Sequence, residues 1–510
     1  MRGANRIGGA VALVLASGTA NAGSSLPEVI YSNIAGFNDV VPGGGGVVFA
    51  SFDRPTGSPD GSRWAMLARN TGPTTTDAMI LTGAGATGLL RLSEGVIQIE
   101  PGRVAENMSD RRVGVLNDGI FAYTVNLTGA TTDDQVVVVG SDGPGFFIPY
   151  REGSPIAALP GTVGTGISDV NIANNGKTAA RFSSLVGTAS TQNAAILLDD
   201  LSTVGAQRNV TAPGGQVGSE FYNSFAFGSF YINADATSFL FKADLNGAAA
   251  TSTVVVVNNQ VVVQEGTTLP GFASPVTNPI SQRMDLSGDW YVRGENADDQ
   301  PWIVRNGVVV AASGDPVPGG EPGEGWSNAV WNVSNGNTFF FHSGNSAGDF
   351  IIAGFTNLAD TQRNAAWVLL GDHGPQVVLR RGDQVDLNGD GVGDDAYIEL
   401  TGLNAASLNN HVDAGFLADD GWFYFVADLR RGDGTSLGEA FMRRRVIAPP
   451  PTCFGDANGD GLTNGADLSV LLGQFGQSVT PGSDADFNGD GQVNGADLSV
   501  LLSNFGCGAG

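Results

Sequence analysis

Over residues 23–446 the apolar positions fall in short runs, some alternating and some continuous, each bounded by Gly, Asn, Asp, Ser or Pro. Alternation marks half-buried strands and short continuous runs mark buried ones, so the pattern predicts an all-β region with negligible helix. Three signatures recur. The first is a tight hairpin: a hydrophobic strand, a turn of the Asn/Asp/Ser-Gly kind, then an aromatic or branched strand. It stands at Pro59-Asp60-Gly61, Asn117-Asp118-Gly119, Asn174-Asn175-Gly176, Ala234-Asp235-Ala236, Leu286-Ser287-Gly288, Ser334-Asn335-Gly336 and Asp419-Asp420-Gly421, with third residues 58, 57, 60, 52, 48 and 85 apart. The second is an apolar strand ending at Glu94-Gly95, Glu152-Gly153, Glu265-Gly266, Gly314-Asp315 or Gly382-Asp383. The third is a Val/Ile/Leu strand, at 135–139, 194–198, 252–257, 301–304 and 366–370.

Each unit of about 57 residues therefore holds around four short strands, which is the make-up of a propeller blade. Seven copies predict a seven-bladed β-propeller over 23–446, the last unit delayed by an insertion. A pair of β-sandwiches or a solenoid would also carry short strands, but a blade-length repeat with an internal tight hairpin fits a propeller better, and closure protects the sheet edges. The third unit lacks the Glu-Gly signature and the fourth hairpin lacks Gly. Glu94, Glu152 and Glu265 hold equivalent repeat positions, which argues for a turn hydrogen bond rather than for catalysis at one site.

After a Pro-rich linker, 447–452, the period changes. Leu468, Leu471, Leu472 and Phe475 fall at i, i+3, i+4 and i+7, as do Leu498, Leu501, Leu502 and Phe505, predicting two amphipathic helices ended by Gly476 and Gly506. Each follows a twelve-residue loop with oxygen donors at positions 1, 3, 5, 7, 9 and 12 and Gly at 6, the arrangement a calcium ion requires. The donors are Asp456, Asn458, Asp460, the Leu462 carbonyl, Asn464 and Asp467 in one copy. In the other they are Asp486, Asn488, Asp490, the Gln492 carbonyl, Asn494 and Asp497. Residues 453–510 contain seven Asp and no Glu, Lys or Arg. Only Asp484 falls outside the ligand frame, whereas a merely solvated or turn-forming acidic tail would scatter its charges.

No helix is expected before either loop, since Pro449, Pro450, Pro451 and Pro481 stand there. Two loop-plus-helix units with this ligand pattern within 453–507 closely resemble the type I dockerin module. The resemblance implies a small α-helical module with two calcium ions as cofactors and ends lying side by side, so that Cys453 and Cys507 close a disulfide. It also implies a cohesin domain or similar surface protein as partner, in a family that usually delivers polysaccharide-degrading enzymes to a scaffold. Positions 10 and 11, often a hydroxyl pair used for partner recognition in that family, are here Gly465-Ala466 and Gly495-Ala496. The departure touches partner choice and leaves the metal ligands intact. The near-identity of the two copies implies binding in either orientation.

A third loop interrupts the last repeat, with Asp386, Asn388, Asp390 and Asp394 as oxygen donors and Gly391 at position 6. Position 12 is Tyr397, which cannot serve as the final carboxylate. The segment resembles the shorter calcium loops at blade turns of some propellers, with Asp394 or Asp395 as last ligand; the alternative is an Asp/Gly-rich turn without metal.

Residues 1–22 read as a signal peptide, with Arg2 and Arg6, an apolar run over 7–16 and a small-residue cleavage site at Ala20-Asn21-Ala22. That run is too short to span a bilayer, and no later run approaches transmembrane length. The expectation is a secreted protein, extracellular or at the cell surface, without membrane insertion. A net charge of −26 makes nucleic acid a poor partner. No triad, zinc motif or phosphate loop is present. His342, His373 and His411 read as surface or turn residues, and most of the seven tryptophans as core. The leading expectation is an extracellular calcium-binding protein, its propeller a binding or scaffold domain for a glycan or protein and its tail a docking module. The alternatives are a secreted polysaccharide hydrolase or lyase carrying the same tail, and a structural cell-surface protein.

Overall fold

The computed structural model describes residues 26–507 except 109–111, 144, 329–337, 400–413, 449–452, 459–461, 481 and 483–484. The signal peptide, most of the linker, Ser334-Asn335-Gly336, His411, Asp460 and Asp484 therefore lie outside the described residues. Seven antiparallel sheets form the seven blades. Blade 1 is Phe49–Gly57, Trp64–Asn70, Ala78–Ala84 and Thr87–Ser93, in that order from the inside outward. Blades 3, 5 and 6 repeat the plan, whereas blades 2, 4 and 7 build their inner strand from two pieces, such as Tyr222–Phe225 and Tyr231–Ile232. Blade 7 takes its outermost strand from the other end of the chain: Glu28–Ser32 pairs antiparallel with Ser436–Arg445.

Continuous hydrophobic runs belong to strands buried on both faces by neighbouring blades. Phe350–Phe355 is buried at every position, and Val254, Val255 and Val256 are all fully buried. Trp64, Trp302, Trp326 and Trp367 are core residues, as their place in strands predicts.

Each sequence signature has a structural cause. The hairpin joins the first two strands of a blade, and in all seven blades it closes alike. The N–H of Gly61, Gly119, Gly176, Ala236, Gly288, Gly348 or Gly421 donates to the carbonyl three residues back, at 2.8–3.4 Å. All seven of these residues have positive φ, the conformation that favours glycine. Ala236 adopts it at φ 58° without being glycine. For blade 6 the described hairpin is Asn345–Gly348, so Gly288 to Gly348 spans 60 residues and Gly348 to Gly421 spans 73. That makes the repeat more regular than the sequence motif suggests.

The Glu-Gly or Gly-Asp signature ends the fourth strand and ties it to the next blade. Gly95, Gly266 and Gly382 each donate their N–H to a carbonyl in the following blade's inner strand, and Gly153 and Gly314 to the Val163 and Trp326 carbonyls in the segments that precede it, all at 2.7–2.9 Å. The third unit is no exception: Asn209, at φ 51°, donates to Tyr222 at 2.7 Å. Asn tolerates the left-handed region, so the role persists where the motif disappears. Glu94 and Glu265 accept from the backbone N–H of Met108 and Thr253, the structural role their repetition suggests, whereas the buried Glu152 Oε2 has no such partner among the described residues. Buried bases add a second tie, with Lys242 and Arg293 reaching the Pro279 and Phe339 carbonyls of the next blade.

At the ring's seam Glu439, partly buried, accepts from the Phe52 N–H at 2.7 Å. Burial pushes its carboxyl up to about 7, against that hydrogen bond and with help from Asp428 and Asp53. Between pH 4.5 and 7 the unfolded chain releases this proton and the folded chain keeps it, so stability falls as pH rises through that window. Glu439→Gln should remove this slope and raise stability at pH 8 by up to about 3 kcal/mol; urea midpoints equal to wild type at pH 8 would refute it. At the fourth hairpin, Ala236→Gly should stabilise by roughly 0.5–1 kcal/mol, measured by the same denaturation, because relief of the left-handed strain outweighs the added unfolded-state entropy.

Candidate metal centre

The tail holds two helices, α1 (Gly465–Gln474) and α2 (Gly495–Ser503), each opened by its loop. Both begin with a capping box in which the loop's own ligands cap the helix. Asn464 accepts from the Ala466 N–H at 2.7 Å, and Asp467 returns to accept from the Asn464 N–H at 2.8 Å. Asn494 and Asp497 repeat this at 2.8 Å each. The position-12 carboxylates are fully buried and each reaches back across its loop, Asp467 to the N–H groups of Ala457 and Asn458, Asp497 to that of Asn488. Although burial pushes the Asp467 carboxyl up, these backbone donors outweigh it and hold it below the usual carboxylate range.

In the second loop the turn geometry is set from position 1. Asp486 accepts from the Asp490 N–H at 3.2 Å with one oxygen and from the Gly491 N–H at 2.8 Å with the other. Asn488 accepts from the Asp490 N–H and Asp490 from the Gln492 N–H, at 2.9 and 2.8 Å. Backbone N–H groups on the convex side thereby turn carboxylate and amide oxygens toward the loop interior, the donor chemistry a hard cation takes. Among the described residues no three acidic, His or Cys side chains stand close enough to share an ion as they are placed.

The two units meet about a pseudo-two-fold. Position 8 of the first loop, Thr463, exchanges backbone hydrogen bonds with Gly506 and Cys507 after α2, and position 8 of the second, Val493, with Gly476 and Gln477 after α1. Among the described residues Leu471, Ala485, Val493 and Leu501 form the buried core of the module. The Cys453–Cys507 disulfide closes the ends, with Cα atoms 5.5 Å apart. Cross-linking a loop of this length contributes about 4 kcal/mol on the chain-entropy account. The helices bury less than their period suggests: Leu472, Phe475, Leu502 and Phe505 are 57, 47, 56 and 52 % exposed.

The blade 7 loop adopts the same turns. Asp386 accepts from the N–H groups of Gly389 and Gly391 at 2.7 and 2.8 Å, Asn388 from that of Asp390, and Asp390 from that of Val392. Asp394 accepts from the Leu387 N–H at 2.7 Å, the place Asp467 takes toward Ala457 in the tail. Asp395 turns away to the Gly432 N–H and Arg431. Of the two candidates for last ligand, Asp394 is the one that faces the loop.

Of the two described histidines, His373 lies in a turn at the surface as expected and His342 does not. His342 is fully buried, stacked on Tyr291 at 5.3 Å, and burial holds it neutral. His373 is exposed, its Nδ1 2.7 Å from the buried Asp349 carboxylate. No sequence spacing announces that pair, since 24 residues separate its members.

No curated protein sequence matches the chain. Solved structures that resemble it include prolyl oligopeptidase B from Galerina marginata, at 10 % identity and a TM-score of 0.35, covering 76 % of this chain and 47 % of that one. Others are the β-propeller domain of the Trilobed protease from Pyrococcus furiosus (7 %, 0.37, covering 76 and 94 %) and puromycin hydrolase (10 %, 0.36, covering 77 and 54 %). The chain spans less than half the length of the first of these, and identities this low speak to no shared chemistry. Residues 454–505 match the dockerin type I domain family.

Proposed function

We propose that this is a secreted protein whose propeller is a binding or scaffold domain and whose tail docks it, in a calcium-dependent way, onto a cohesin-like protein. The observation that carries the reading is the repeated unit of the tail. Each copy joins a loop whose position-12 carboxylate is backbone-locked to a helix that leaves a Leu/Phe pair on the surface. Two such pairs, on a module with so small a core, are apolar area kept for a partner. Export is supported by the N-terminal pattern and by the disulfide, which persists in oxidising compartments.

Calcium acts first on folding. With four fully buried apolar side chains, the module gains stability from the ions, about 2.7 kcal/mol per site at calcium a hundredfold above the dissociation constant. A third ion at Asp386, Asn388, Asp390 and Asp394 would sit beside the seam, because the Asp386 N–H donates to the Pro27 carbonyl at 3.1 Å, next to the closing strand.

Calorimetric titration of the full chain should give three ions, Asp394→Ala two, and Asp467→Ala with Asp497→Ala one. Absence of heat at millimolar calcium would defeat the tail reading, and two ions in the wild type would defeat the third site. Partner choice is tested separately. A Cβ added at Gly465 or Gly495 meets open space, so Gly465→Ser with Ala466→Thr is sterically free. That pair should bring binding to a typical cohesin up at least tenfold in a calcium-dependent pull-down, with Asp467→Ala reducing it in proportion to the one copy lost. No gain would mean that the exposed Leu and Phe residues select a different partner.

A further inference from the structure

The two tail loops are near copies, but what holds each in place differs. In the second, the bracing residues belong to one stretch of chain. Val493 at position 8 donates its N–H to the Gln477 carbonyl at 3.0 Å and accepts from the Gly476 N–H at 2.8 Å. Asp486 at position 1 accepts from the Gly482 N–H at 3.0 Å. Gln477 and Gly482 lie in the same short connection, which leads from α1 into that loop.

The first loop is held at the same positions by residues from opposite ends of the module. Asp456 at position 1 donates its N–H to the Cys453 carbonyl at 3.2 Å. Thr463 at position 8 donates to the Cys507 carbonyl at 3.1 Å and accepts from the Gly506 N–H at 2.8 Å. Gly455 brings the entry of this loop onto α2 of the other unit, so close that a Cβ there would lie 2.8 Å from the Leu501 Cα. Shifted by the thirty residues that separate the copies, Cys507 falls on Gln477 and Cys453 on Ser483. Where the second loop has the backbone itself to join its two braces, the first has residues 54 apart in sequence joined through their sulfurs.

We propose that the Cys453–Cys507 disulfide sets the calcium affinity of the first loop and not of the second, a redox gate on one of two otherwise equivalent sites. The proposal rests on the reading of the tail as a calcium-dependent docking module. Opening the bond takes two electrons and two protons from a dithiol, which becomes a disulfide while Cys453 and Cys507 become thiols. The residues after α2 are then free to part from Thr463, which stands between two donors, the Leu462 carbonyl and the Asn464 side chain. Positions 7 to 9 lose a fixed backbone, and ion binding has to order them at an entropic cost. The second loop keeps its brace. The coupling is reciprocal: the factor by which reduction lowers the first site's affinity is the factor by which calcium protects the disulfide from reduction.

The test is calorimetric calcium titration of the full chain carrying Asp394→Ala, so that only the tail loops report. It is run oxidised, reduced with dithiothreitol, and as the Cys453→Ser, Cys507→Ser variant. The oxidised protein should show two sites of similar affinity. Reduction or the double substitution should weaken one of them by about tenfold or more and leave the other in place. Adding Asp467→Ala should then remove the weakened site, and Asp497→Ala the unchanged one. The disulfide's midpoint potential is a second readout, decisive even where the reduced module binds calcium too weakly to titrate. Saturating calcium should lower it by about 30 mV for each tenfold of coupling, in the otherwise unaltered tail and with Asp497→Ala, but not with Asp467→Ala. Equal weakening of both sites, weakening of neither, or a potential shift that survives Asp467→Ala would overturn the proposal while leaving the calcium reading intact; absence of calcium heat in the oxidised protein would take down both.

Discussion

A ring of blades holds only if its first and last elements find each other, and here the five residues Glu28–Ser32 carry that closure. They pair with a strand more than 400 residues away, and side chains reinforce the joint: Arg443 with Glu28, and the Glu439 N–H donating to Asn33. The entropy of closing so long a loop grows only logarithmically, whereas an unclosed blade 7 would leave the edge of Ser436–Arg445 unpaired. The seam is also a core. Ile30, Tyr31, Trp64 and Phe441 pack together there, and the Tyr31 hydroxyl accepts from the Gly88 N–H at 2.8 Å. Strand pairing elsewhere stays within one blade, and side-chain ties such as Arg112 to the Phe230 carbonyl and Arg283 to the Gly415 carbonyl reach two blades on, so the seam contacts are the ones on which the closed ring depends.

The repeats were readable because the constraint that makes a blade is local. A tight hairpin needs one residue at positive φ, and Gly or Asn-Gly marks it six times out of seven. The misses have the same physical source. Ala236 and Asn209 occupy left-handed positions that the motif reserves for glycine, so the strain is visible in backbone angles and hidden in residue type. At blade 6 the hairpin among the described residues is Asn345-Ser346-Ala347-Gly348, whose Ala before the Gly departs from the Asn/Asp/Ser-Gly motif. His342 was misjudged for a different reason. Its burial depends on Tyr291 of the neighbouring blade, a contact that no spacing within one strand encodes.

In the tail, ligand pattern and helix period were legible because both are short-range, and the disulfide partner because only two cysteines exist. The division of the apolar stripe was not. Period alone assigns Leu471 and Leu472 to the same face, yet one is fully buried and the other mostly exposed. Two short helices crossing about a pseudo-two-fold can cover only the residues at the axis. The rest of each stripe is left outside, which is why so small a module depends on a disulfide, on its backbone-locked carboxylates and on what binds its surface.

The hairpins that define the repeat share one backbone geometry and differ in what their side chains add. Three residues before the positive-φ position stand Ser58, Leu116, Ala173, Asn233, Asp285, Asn345 and Ala418, and in every blade the carbonyl of that residue accepts the turn's N–H. The backbone task is identical seven times over, so a small or apolar residue suffices for it, as at Ala173 and Ala418. Burying Asp285 and Asn345 there is unfavourable for the fold: burial pushes the Asp285 carboxyl up to about 6, and Asn345 keeps an unmatched N–H. The cost is offset by bonds the side chains add to the fold. Asn345 and Asn233 Oδ1 accept from the Asp349 and Ser238 N–H groups and Ser58 Oγ from that of Arg63, each fastening its own hairpin, while Asp285 accepts from the Gly344 N–H of the next blade. A polar residue at this position therefore works for the ring wherever its oxygen finds a backbone donor.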